Sequence, residues 1–113
     1  MSRIAHRELV AILLRDVPQI ADGLRAESGL LHMQVACLTR YIQAQIDDGN
    51  RAELARCFEI VRRFIAEGNT EVQNAVGVSL LEHLNVKDGK VARGWAVGAM
   101  PPLVKQWYQT VAL

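Results

Sequence analysis

Apolar residues recur along most of this chain at intervals of three and four, the repeat of an amphipathic helix, and no stretch alternates in the manner of a strand. Leu9, Val10, Leu13 and Leu14 predict a helix over His6 to Asp16. Asp16-Val17-Pro18 then reads as a cap with proline in the first turn of a short helix reaching about Arg25, which Ser28-Gly29 breaks. From Leu30 to about Asp47, Leu31, Val35, Leu38, Ile42 and Ile46 make one tight stripe, with Thr39, Arg40, Gln43 and Asp47 opposite. Asp48-Gly49-Asn50 predicts a turn, and Asn50 with Glu53 a capping-box start. Between Arg51 and Glu67, Leu54, Cys57, Phe58, Ile60, Val61, Phe64 and Ile65 share one broad face, while Arg56, Glu59, Arg62, Arg63 and Glu67 share the other. Gly68 suits a helix stop, and Thr70 with Gln73 opens the next helix as a second capping box.

That next helix, Thr70 to Leu84, is expected to be apolar on nearly every side, the mark of a central buried element. It nevertheless carries Glu71, Gln73, Asn74 and Glu82, and buried polar groups need partners. Asn74 and Glu82 are therefore expected to act as internal fasteners, Asn74 on a neighbouring helix end or loop and Glu82 on an arginine such as Arg40. Beyond Leu84 the pattern weakens: a loop over Asn85 to Gly89, a segment from Val91 to Met100 around Trp95, and a last helix from Pro101-Pro102 to about Ala112. The fold class is all-α, a compact irregular bundle of antiparallel helix hairpins in one domain spanning 1–113. A short stack resembling a HEAT or TPR solenoid is the alternative, and the lack of an internal repeat favours the bundle.

Composition narrows the functions. The chain has 113 residues, half of them hydrophobic, enough for one core. Thirteen basic residues against 12 acidic ones leave a net charge of +1, so no strong field calls for nucleic acid or an anionic membrane. Cys37 and Cys57 both lie in apolar helical patterns and are expected as buried reduced thiols. The opening MSRIAHREL lacks an apolar core of signal-peptide type, and VAILL is too short to span a bilayer. A soluble cytoplasmic protein is the expectation.

Enzyme chemistry finds little support in the spacing. His6, His32 and His83 stand far apart without an HExxH or CxxC frame, so no metal, cofactor or catalytic residue is expected; satisfied half-buried histidines are the simpler reading. Gly77-Val78-Ser79 starts like a nucleophile elbow, but Leu81 occupies the second glycine position and the segment is helical, which makes Ser79 a packing residue. Arg51, Arg56, Arg62 and Arg63 could touch phosphates, yet Glu53, Glu59 and Glu67 are interleaved with them, with Glu59 and Arg63 in favourable register. A solvated, mutually paired face follows, and no nucleic-acid role.

The runs LLHMQVACLTRYIQ, ELARCFEIVRRFIAEGN and EVQNAVGVSLLEHL together resemble a family of small bacterial all-helical domains of unknown function. The matching positions are Leu30, Leu31, His32, Glu71, Val72, Asn74, Val78, Ser79, Leu80, Leu81, Glu82 and Leu84, with Leu80 where the family pattern has an aromatic residue. The resemblance spans about Leu30 to Leu84. It implies an association with polymorphic or contact-dependent toxin systems, in which small proteins neutralise a cognate toxin, and hence an immunity protein. Such a protein needs a rigid scaffold and a few anchors complementary to one partner. The acidic cluster Asp47, Asp48 and Glu53 and the aromatic residues Trp95, Trp107 and Tyr108 are the candidate partner-binding residues, with core packing or a lid over the bundle as the alternative for the aromatics. A helical scaffold or adaptor for a protein or peptide, and a small enzyme or metal protein with a pocket where at least two of His6, His32, His83 and the acidic residues converge, are the competing functions. An apolar WAVGAMPPLVKQWY segment left unfolded on the surface would mark a homodimer interface.

Overall fold

The structure, a computed structural model, describes residues 3–111. Seven α-helices account for most of them: α1 His6–Asp16, α2 Ala21–Ala26, α3 Leu31–Asp48, α4 Arg51–Glu67, α5 Thr70–Ser79, α6 Trp95–Gly98 and α7 Pro102–Val111. Two short 3-10 turns, Pro18–Ile20 and Leu81–His83, precede α2 and follow α5. The all-α bundle is the architecture the hydrophobic pattern predicts, and α3 and α4 begin and end within one residue of the predicted limits. Among the described residues no helix is long and apolar enough to cross a membrane.

The predicted stripes become the core. Leu38, Ile42 and Ile46 of α3 and Leu54, Phe58, Val61 and Phe64 of α4 are buried together with Val72, Ala75 and Val76 of α5. Gly49 supplies the left-handed stop of α3 with φ 71°, where a side chain would be strained. Helix α5 is the hub, packing against α1, α3, α4 and α7.

It is not apolar all round. Glu71, Asn74 and Val78 form an exposed face, and the helix ends at Ser79 rather than continuing to Leu84. Leu80 leaves helical geometry at φ −121°, ψ −68°, and the tighter turn that follows buries Leu80 and Leu81 side by side. The cause lies on α3. The Thr39 hydroxyl reaches the carbonyls of Val35 at 3.0 Å and Ser79 at 2.7 Å, so the Ser79 carbonyl is satisfied from outside the helix. Asn74 and Glu82, expected as internal fasteners, are exposed: Asn74 lies on the solvent face of α5 with Glu71 and Val78, and Glu82 lies in the turn after the helix ends. The buried polar fasteners are Gln34, whose amide donates to Leu24 O at 2.9 Å and whose oxygen meets His6 Nε2, and Thr39 itself. The cap of α5 also shifts: Asn69, not Thr70, accepts the Val72 amide at 2.9 Å. Asn50 occupies the cap position of α4 without a side-chain cap bond, and turns instead to Gln45.

Gly68 is required for closeness rather than for a left-handed stop. Its backbone is extended (φ −68°, ψ 149°), and a Cβ there would lie 2.2 Å from Phe64 O and 2.7 Å from Val72 Cγ1. The space beside it is taken by Ile4, whose amide donates to Glu67 O and whose carbonyl accepts from Asn69 N, both at 2.8 Å, while Arg3 Nε donates to Gly68 O. The C-terminal segment folds back: Ala96, Met100 and Val104 are buried, and α7 packs on α4 and α5 as a lid.

Gly68→Ala is expected to destabilise the fold by about 1–3 kcal/mol, the cost of forcing atoms into a filled site. Chemical denaturation measures it; an unchanged midpoint would show that the α4–α5 corner relaxes freely.

Candidate functional site

Helix α3 presents two sides. One is the buried stripe; the other bears His32, Met33, Ala36, Thr39, Arg40 and Gln43, spaced at helical intervals. Ser79 and His83 face this second side from the end of α5 and the turn after it, and the two walls enclose an open groove of about 410 Å³. His32 Nδ1 and Ser79 Oγ are hydrogen-bonded at 2.6 Å across it. Thr39, which the periodicity places opposite the core, is buried on its floor because its hydroxyl is used on Ser79 O. Gln43 closes the far end: its amide donates to Asn85 O at 3.0 Å and its oxygen accepts Asn85 N at 2.9 Å. The large exposed hydrophobics are Leu30, Met33 and Val78; Met33 lines the groove, and Met33 and Val78 are the chain neighbours of the bonded His32 and Ser79.

The groove thus brings together two of the three histidines that the sequence leaves apart; His6 is engaged elsewhere with Gln34. Ser79 is polar lining rather than packing. Its place in the groove has no signature in the local sequence, since it depends on Thr39 forty residues away. Among the described residues no group of three His, Cys, Asp or Glu side chains is disposed to hold a metal ion.

The acidic and aromatic residues picked out by composition do not line the groove, and Asp47, Glu53 and Trp95 make intramolecular contacts. Asp47 accepts Arg93 Nε at 2.7 Å and Gln43 Nε2 at 3.0 Å, and these bonds, Arg93 first, hold its carboxyl below the usual range. Trp95 lies under Arg51, whose guanidinium carbon is 4.3 Å from the ring centroid, and donates its indole N–H to Ala92 O. Asp88 accepts the amides of Arg93 and Gly94, which closes the loop on itself, while the Arg93–Asp47 and Arg51–Trp95 contacts latch it onto the α3–α4 corner. Trp107 and Tyr108 are half-buried against the core, in the lid position, and Asp48 is exposed.

Glu53 has the densest set of partners. Arg56 donates to both its oxygens at 2.7 and 2.8 Å, and Tyr41 Oη donates at 2.5 Å. The Arg56 bonds outweigh partial burial and hold the Glu53 carboxyl down at about 2, while burial and the Glu53 bond push the Tyr41 phenol up to about 12. Arg56 also donates to Asp16 O, tying α4 to the end of α1. Along the same face Glu59 pairs with Arg62 at 2.7 Å, rather than with Arg63, which reaches Glu67 at 3.6 Å. The arginine face is therefore largely self-neutralised. Both cysteines are buried free thiols, and burial pushes the Cys57 thiol up to about 11, which makes it inert as a nucleophile.

A family model described as a domain of unknown function (DUF7674) matches residues 10–112. The chain belongs to this family. The match takes in the region from Leu30 to Leu84 and extends it through α7, so the helical lid is part of the family domain. No curated protein and no solved structure matches the chain.

Because its folded pKa is depressed, Glu53 adds stability that is fully present above the ordinary carboxylate range and is lost as pH falls from about 4.5 through about 2. Glu53→Gln is expected to cost on the order of 1 kcal/mol at pH 7, a value held down by the solvent exposure of Arg56. Urea midpoints of the two proteins should converge as pH approaches 2; a constant gap down to that pH would show that the carboxylate charge contributes nothing.

Proposed function

We propose that this chain is a non-enzymatic protein-binding domain that neutralises a cognate toxin, an immunity protein in the sense the sequence resemblance implies. The observation that carries the binding reading is the open groove between α3 and the end of α5, with the exposed apolar side chains Leu30, Met33 and Val78 on the same two elements or next to them. No buried side-chain nitrogen or oxygen among the described residues lacks a partner. Apolar side chains held on such a frame suit the anchors of an interface, where a few residues supply most of the affinity.

The same groove is poorly arranged for covalent chemistry. His32 and Ser79 have the separation of a base and a nucleophile, but Ser79 is the last residue of α5, where the negative end of the helix dipole opposes a developing oxyanion. The pair acts instead as a cross-brace between the groove walls.

Co-expression with the product of the adjoining gene is expected to yield a stoichiometric complex and to restore growth when that product is toxic. Met33→Glu should weaken the complex by at least about tenfold, the loss of one interface anchor. Absence of both complex and protection would overturn the reading.

A further inference from the structure

We infer that the α3–α5 groove is the docking site for a carboxylate-bearing segment of the partner protein, an aspartate or glutamate adjacent to an aliphatic residue. This inference rests on the protein-binding reading above and names the chemistry of what is bound.

The charge on the walls points one way. Arg40, His32 and His83 line the groove, and none of its lining residues is acidic. Arg40 is also singular among the described arginines. The others lie within 4.0 Å of a carboxylate, donate to a backbone carbonyl or, for Arg51, cover the Trp95 ring. Arg40 meets only the Cys37 sulfur, 3.4 Å from its Nη2, a weak contact that an arriving carboxylate readily replaces with a charge-assisted hydrogen bond. It is exposed, so its head can swing over the groove without disturbing the core.

The polar groups of the groove divide into used and free. Thr39 is committed to Ser79 O, Gln43 to Asn85, and His32 Nδ1 to Ser79 Oγ. The guanidinium of Arg40, the His83 ring and the second nitrogen of His32 remain, all of them able to donate to an anion. Met33 and Ala36 supply the apolar lining against which an aliphatic neighbour would pack. From His32 to Gln43 the lined side of α3 runs about 16 Å, which accommodates roughly five residues of extended chain or three turns of helix.

The full chain, labelled with nitrogen-15, can be titrated with N-acetyl-leucyl-glutamate amide, with its glutamine counterpart and with acetate. Saturable amide shifts confined to Ala36, Gln43, Ser79, His83 and their neighbours are expected with the glutamate dipeptide. The glutamine dipeptide and acetate should each bind about tenfold more weakly. Arg40→Gln should lower the glutamate-dipeptide affinity by a similar factor while leaving the melting temperature unchanged, as befits an exposed side chain. Equal binding of the two dipeptides, acetate binding as well as either, or an indifferent Arg40→Gln variant would each overturn the inference. Should the dipeptides behave as expected while the adjoining gene product forms no complex, the groove chemistry stands and the immunity reading falls. Should that complex form and ignore Arg40→Gln, the docking site falls and the binding function stands.

Discussion

The bond from the Thr39 hydroxyl to the Ser79 carbonyl is the contact on which the shape of this domain turns. It takes a carbonyl at the end of α5 that a longer helix would have used internally, and supplies its hydrogen from another helix. With that carbonyl satisfied, the chain leaves helical geometry at Leu80 and tightens into a 3-10 turn. The turn has two results. It sends Leu80, Leu81 and Leu84 into the core, and it sets His83 against α3 on the same side as His32. Core and groove are two faces of one local event.

The helices were legible wherever one side of the pattern had to be buried. The stripes of α3 and α4 repeat over four to five turns, and their limits follow from Gly49 and from the polar residues around it. The continuation of α5 to Leu84 was not legible, because Leu80, Leu81 and Leu84 also satisfy a helical repeat; what stops the helix is a hydroxyl forty residues earlier. Gly68 shows the same limit. A glycine after a helix predicts a left-handed cap, and only packing against Val72 and the neighbouring Ile4 backbone reveals that the missing side chain matters for space.

For the candidate site, residue type and three-dimensional placement point to different parts of the molecule. Asp47, Glu53 and Trp95 stand out in the sequence as charges and aromatics suited to an interface, yet such groups are also the ones that best fasten a loop to a helix corner. Arg93, Arg51, Arg56 and Tyr41 claim them. The groove is built of residues that were unremarkable in the linear chain, Met33, Ala36, Thr39 and Arg40, whose common property is helical spacing on the side of α3 away from the main stripe. The His32–Ser79 pair needed the third dimension altogether, since its members lie 47 positions apart. Internal satisfaction of the other polar groups is what gives the groove meaning: on a scaffold where most charges already have partners, the ones without partners are the ones available for recognition.

Thr39→Val probes this arrangement most directly, because valine keeps the shape and removes only the hydroxyl. The account predicts a loss of about 1–2 kcal/mol in urea denaturation, from an orphaned Ser79 carbonyl. It also predicts altered backbone carbon shifts over Ser79 to His83 and a broken His32–Ser79 contact. Wild-type stability together with unchanged shifts across those five residues would contradict it, and would mean that the end of α5 and the groove beside it are set by some other part of the fold.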